Sequence, residues 1–129
     1  MFHGKQKRED AEHQLEQEVE RLKALSPQQV GVELIKLVDP FDLDADGFPV
    51  GALAKCLAPG YGRLRGPRVE EFQQLIDEGA QAMANAGLFT SVGWGGVGDG
   101  NVYGLSRSGR DALANGSVEA LLGGGASTD

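Results

Sequence analysis

A chain of 129 residues, 40% hydrophobic and 6% aromatic, can bury one modest core and hardly two, and a net charge of −7 excludes a basic coat for nucleic acid or anionic lipid. A single cysteine, Cys56, excludes an internal disulfide framework, and two histidines, His3 and His13, are too few for a structural zinc site. No apolar run approaches the roughly 18 residues of a membrane span, and the opening MFHGKQKRED carries neither an apolar stretch nor a cleavage site, so a cytoplasmic protein, neither membrane-spanning nor secreted, is expected.

Residues Lys5 to Leu25 are nearly all strong helix formers, with opposite charges one turn apart at Lys5/Glu9, Arg8/Glu12 and Glu20/Lys23. The apolar stripe of this helix is narrow: Ala11, Leu15, Val19 and Leu22. That pattern suits a seam against one neighbouring helix, either in its own domain or in a second copy or partner. Ser26, Pro27 and Gln29 then form a Ser-x-x-Gln capping box, with Leu25 and Val30 as a hydrophobic staple, and open a second helix ending near Val38, before Asp39-Pro40. After an acidic turn, Pro49 opens a third helix with Val50, Leu53 and Leu57 inward, closed by Pro59-Gly60. Beyond a basic loop, Gly66-Pro67 starts the longest clear helix, with Val69, Phe72, Leu75, Ile76, Ala80 and Met83 inward and Gly87 as its terminator. Leu88 to Val92 and Val102 to Leu105 read as two strands around a glycine-rich tip, and Ser106 caps a last helix through Leu113, ended by Asn115-Gly116. Residues from Val118 to Leu122 suit one further turn, and GGGASTD is expected to be disordered.

The stretches LIDEGAQAMANAGLF and VYGLSRSGRDAL carry a resemblance. The first is similar to the end of a winged-helix recognition helix running into the first wing strand. The second is similar to the Tyr-x-Leu-Thr-x-x-Gly-x-x-x-Leu passage of MarR-like and PadR-like regulators, with Ser106 where Thr is commoner. Residues 28–116 are covered. The expected fold is therefore mainly α with a two-stranded β wing, a winged helix-turn-helix with an extra N-terminal charged helix. The expected division is residues 1–25 as a dimer or partner seam, 26–116 as the winged-helix domain and 117–129 as a short helical turn and tail.

The resemblance implies DNA binding by the fourth helix, with the wing reaching toward the backbone. The residues argue differently. At 100° per residue, the outward side of that helix shows Glu70, Glu71, Gln74, Asp77, Glu78, Gln81 and Asn85, four carboxylates and no cation. Arg63, Arg65, Arg68, Arg107 and Arg110 flank it and could reach phosphates. The wing loop itself has no Arg or Lys, and Trp94 is either an exposed aromatic contact or half-buried against the ribbon.

Other chemistry is incomplete. Asp42, Asp44, Asp46 and Gly47 reproduce half of a calcium loop, but Pro49 and Leu53 stand where a β-branched apolar residue and a bidentate Glu belong. Gly93, Gly95 and Gly98 fit a dinucleotide pattern that no helix follows, and Cys56 has no neighbouring histidine. No metal, cofactor or enzymatic activity is expected. Two readings follow. One is an interaction module in which Glu70, Glu71, Gln74, Asp77, Glu78 and Gln81 meet a protein partner or a second copy. The other is a transcriptional regulator, dimeric through Ala11, Leu15, Val19 and Leu22, presenting the five arginines to a duplex.

Overall fold

The computed structural model describes residues 2–38, 46–96 and 100–118, with the side chains of 2–8 and of Arg63 left aside. Among the described residues the helices are α1 (Phe2–Lys23), α2 (Pro27–Leu37), α3 (Val50–Leu57), α4 (Pro67–Asn85) and α5 (Arg107–Asn115), with a 3-10 turn at Tyr61–Arg63. The strands are β1 (Phe48–Pro49), β2 (Phe89–Trp94) and β3 (Asn101–Leu105), antiparallel in the order β1-β3-β2. The molecule is thus mostly helical with a small three-stranded sheet. No helix among the described residues is long and apolar enough to cross a membrane.

The boundaries follow local chemistry. The Ser26 hydroxyl accepts from the Gln29 N–H at 3.2 Å while the Gln29 side chain accepts from the Ser26 N–H at 2.8 Å, closing the capping box at the start of α2. Pro67 occupies the first turn of α4, where its missing N–H leaves no orphan donor. Gly87, with φ of 81°, turns the chain out of α4 into β2.

Three features depart from the sequence expectations. First, the expected two-stranded ribbon has a third strand: Phe48 and Pro49 pair with Tyr103 and Val102 of β3, and proline is tolerated there because β1 is an edge. Second, β2 carries a bulge. Ser91 and Gly93 oppose the successive residues Tyr103 and Val102, so Val92 between them is unpaired and 58% exposed. Third, the stripe assigned to a dimer seam lies inside the chain. Leu15, Val19 and Leu22 are buried in the same core as Leu34, Phe72 and Ile76, and Ala11 packs at its margin. With its apolar stripe of about one residue per turn already covered within the chain, α1 offers a second copy no seam through these residues. Val118, placed with the tail in the expected division, is likewise in the core, at 2% exposure.

Helices α2 and α4 make the most extensive contact between elements, and two glycines set it. A Cβ built on Gly79 would fall 2.5 Å from Val30 Cγ1 and 3.1 Å from the Gly31 nitrogen, and one on Gly31 would fall 2.7 Å from the Gly79 carbonyl oxygen. The backbones therefore cross with no side chain between them. Edge-to-face aromatic contacts extend the core, with ring centroids 5.0 Å apart for Phe48–Phe89 and 5.4 Å for Tyr61–Phe72.

The passage VYGLSRSGRDAL has a structural reading. Ser106 caps α5 by accepting from the Gly109 N–H at 3.0 Å, donates its hydroxyl to the Gly87 carbonyl at 2.5 Å, and donates its backbone N–H to Leu88 O at 3.0 Å. Gly109 lies against that same Leu88 carbonyl, leaving no room for a Cβ. Gly79→Ala is expected to destabilise the fold by about 1–3 kcal/mol through overpacking, and Gly109→Ala by at least as much because its obstacle is backbone. Gly62, whose Cβ would meet open space, should tolerate alanine within about 0.5 kcal/mol. Denaturant melts of the three variants check this ranking, and equal midpoints would refute it.

Candidate functional site

The outward side of α4 is divided among three neighbours. Near its start, Arg68 pairs with Glu71 and with Glu20 of α1, each at 3.1 Å, while Lys23 lies 3.3 Å from Glu71 and 3.7 Å from Glu20. Signs alternate around this group, so it joins α1 to α4 rather than presenting free charge. Lys23, and after it Arg68, hold the Glu71 carboxyl below its ordinary range. The expectation of an uncompensated acidic side is therefore corrected at Glu71, whose partners come from α1 and from its own helix. Arg21 similarly bridges Glu18 of α1 at 2.6 Å and Glu33 of α2 at 2.7 Å, which keeps its guanidinium charged.

Farther along, Gln81 donates to Asn85 at 3.1 Å, and both border a shallow groove with Glu78, Pro27 and Gln28. Glu70 and Gln74 are exposed. Asp77 faces elsewhere, into a cavity of about 190 Å³ between α3, α4 and the ribbon. There it meets Gln73 from its own helix, Tyr61, Trp94 of β2 and Asn101 of β3, over a floor from Val50, Gly51 and Ala54. Trp94 is 69% exposed, which settles its two expectations in favour of an accessible ring. Asp77 is exposed as a residue, yet partial burial pushes its carboxyl pKa up, and burial together with the Asp77 charge raises that of Tyr103.

The five arginines do not act as one surface. Arg68 belongs to the charge group with α1, and Arg110 pairs with Asp46. Arg65 and Arg107 are exposed and make no ion pair among the described residues. The Arg63 side chain, and Asp42 and Asp44 of the calcium-like turn, lie outside the described residues. Among the described residues no group of three or more His, Cys, Asp or Glu could hold a metal ion. Gly95 donates to Gly100 O at 2.8 Å just before β3, and Gly98 of the dinucleotide-like pattern lies outside the described residues. Cys56 is half-buried on α3, where burial raises its thiol pKa and disfavours the nucleophilic thiolate.

Reading the residues in order missed Tyr61, Gln73 and Asn101 as neighbours of Asp77 in the cavity lining. The spacing of Gln73 and Asp77 by four placed them on one side of a helix, but nothing local shows that Trp94 folds back over it. The Asp77 carboxyl makes a testable contribution. Its raised pKa means that the folded state binds the proton more tightly than the unfolded chain. Stability therefore falls as pH rises from the ordinary carboxylate range through the raised value. Asp77→Asn should raise the Tm at pH 7, with the gain shrinking as pH falls through that window and absent below it. Thermal melts across pH measure this, and a gain that persists unchanged in acid would contradict it. No family model, curated protein or solved structure matches the chain, so the reading of this site rests on its own residues.

Proposed function

We propose that the chain is a non-enzymatic winged-helix interaction module that engages a protein partner through the outward side of α4 and the adjoining ribbon. The observation that carries this reading is the disposition of charge. Arg68 and Arg110, two of the cations that would meet phosphates, are held by carboxylates of the same chain. The surface beside them exposes Glu70, Asp77 and Glu78, with Val92 and Trp94 on the ribbon. Docking a duplex here would oppose carboxylates to phosphates and release few counterions. An exposed indole beside carboxylates suits a protein surface carrying basic and apolar groups. The winged-helix part is supported by the succession α2-β1-α3-α4-β2-β3 and by β3 lying between β1 and β2.

Glu70 and Glu78 are the residues to reverse, because Glu71 also holds α1 to α4. Proteins retained by the immobilised wild type and lost by the Glu70→Lys, Glu78→Lys double variant, with the Tm preserved, are the expected outcome. Identical retention would remove α4 from the interface. A labelled mixed-sequence duplex should show no salt-dependent binding between about 50 and about 200 mM salt. Binding that weakens steeply with salt, with a slope reduced by Arg65→Ala and Arg107→Ala, would replace this reading with that of a transcriptional regulator.

A further inference from the structure

We propose that the cavity between α3, α4 and the ribbon is a receptor for a guanidinium group, the side chain of an arginine on the partner. The inference deepens the interaction-module reading and rests on it for the source of that arginine. The cavity brings together one carboxylate, Asp77, one accessible indole, Trp94, and two side-chain amides, Gln73 and Asn101. None of these four side chains makes a hydrogen bond or ion pair with another described residue. They come from two parts of the chain: Gln73 and Asp77 lie about one turn apart on α4, and Trp94 and Asn101 face each other across the β2–β3 ladder. The ladder accounts for the second pair, but no local capping or turn requirement brings it to the first.

The composition of the site selects its ligand. The Asp77 charge repels phosphate and carboxylate, and among the described residues no cation lines the cavity to offset it. A hard divalent cation would need about six oxygen ligands, whereas the described residues of the lining supply one carboxylate. An organic cation needs less: one carboxylate for its charge and one aromatic face for its plane. Guanidinium fits better than ammonium because its donors form a planar fork that meets a carboxylate with two parallel hydrogen bonds, while its face stacks on indole. The amide oxygens of Gln73 and Asn101 can accept the remaining donors. At about 190 Å³ the cavity is smaller than the roughly 300–1,000 Å³ of sites for drug-sized ligands. It therefore suits the end of a side chain rather than a whole cofactor. The floor of Val50, Gly51 and Ala54 gives the methylenes of such a side chain an apolar surface.

Trp94 is the only tryptophan in the sequence, so its fluorescence reports on this cavity alone. The full chain is titrated at pH 7.5 with N-acetyl-arginine amide, whose neutral backbone resembles a peptide. N-acetyl-citrulline amide, of nearly the same shape without the charge, serves as control, and free arginine is the small-molecule arm. The expected result is a saturable change with the arginine amide, with Kd on the order of 1 mM, and a response to citrulline weaker by about tenfold or more. Asp77→Asn should abolish the preference for arginine, and Asp111→Asn, exposed on α5 and outside the cavity, should preserve it. Equal responses to arginine and citrulline, or equal losses in the two variants, would overturn the proposal. Free arginine binding at least tenfold more tightly than the amide would assign the site to a free metabolite and overturn the partner arginine. The two readings fail separately. Salt-dependent duplex binding with an intact arginine response would reject the interaction module and keep the guanidinium site. No duplex binding with no arginine preference would do the reverse.

Discussion

The backbone crossing of α2 and α4 at Gly31 and Gly79 is the contact on which the rest of the molecule depends. Helices separated by ordinary side chains lie about 8–10 Å apart; here a Cβ on either glycine would strike the other helix. The close approach turns Val30, Leu34 and Ile35 of α2 onto the same side of α4 as Ile76, Ala80 and Met83. It leaves another side of α4 for α1, whose Leu15, Val19 and Leu22 join the same core. A second close approach supports α1: a Cβ on Gly60 would fall 2.7 Å from that of Ala11. A helix that sequence patterning left free to serve as a seam is thereby incorporated into the core, and its charged side pairs outward with α2 and α4.

The ribbon is fixed at the opposite end of α4 by the hydrogen bonds of Ser106. Its hydroxyl and backbone join the start of α5 to the α4–β2 turn, and Gly109 lets the helix settle against the Leu88 carbonyl. Gly87 and Ser106 therefore act as one joint. With β3 anchored there and β1 paired along its other edge, β2 has little freedom at its base. The bulge at Val92 then re-aims the end of the strand, and Trp94, still paired with Asn101, lines a cavity with Asp77. Short-range backbone chemistry at one end of the ribbon thus positions an aromatic ring at the other.

The legible parts of the sequence were those decided within a turn or two of chain. Ser26 and Gln29, Pro67, Gly87, Ser106 and Gly116 each mark a boundary by a local geometric requirement, and the structure places helix ends at all of them. β1 was not legible because two residues carry no period, and its partners lie more than fifty residues away. Gly31 and Gly79 read as weak helix residues, since intrinsic propensity penalises glycine wherever it occurs, and only the crossing shows their use. The pairing of Glu20 and Lys23 follows from their spacing, whereas the links from both to Arg68 and Glu71 require the packing of α1. Trp94 invited two readings for the same reason, because the bulge that exposes it is a property of strand register.

Charge is where fold and function meet in this chain. A net charge of −7 spread evenly would give a weakly repulsive surface with no preference among partners. The packing instead sorts the charges. Lys23, Arg21, Arg68 and Arg110 are matched to carboxylates of neighbouring elements, whereas Asp77 is left unmatched in a partly enclosed cavity beside an indole. Exposed pairs of this kind contribute little stability each, so their larger consequence is subtraction. They remove cations that could have steered the molecule to nucleic acid and leave an unpaired carboxylate where solvent is partly excluded. In such a place a charge interacts more strongly than on open surface. An incoming cation thus gains most at Asp77, where it also meets Trp94, and gains least where the chain has already neutralised itself.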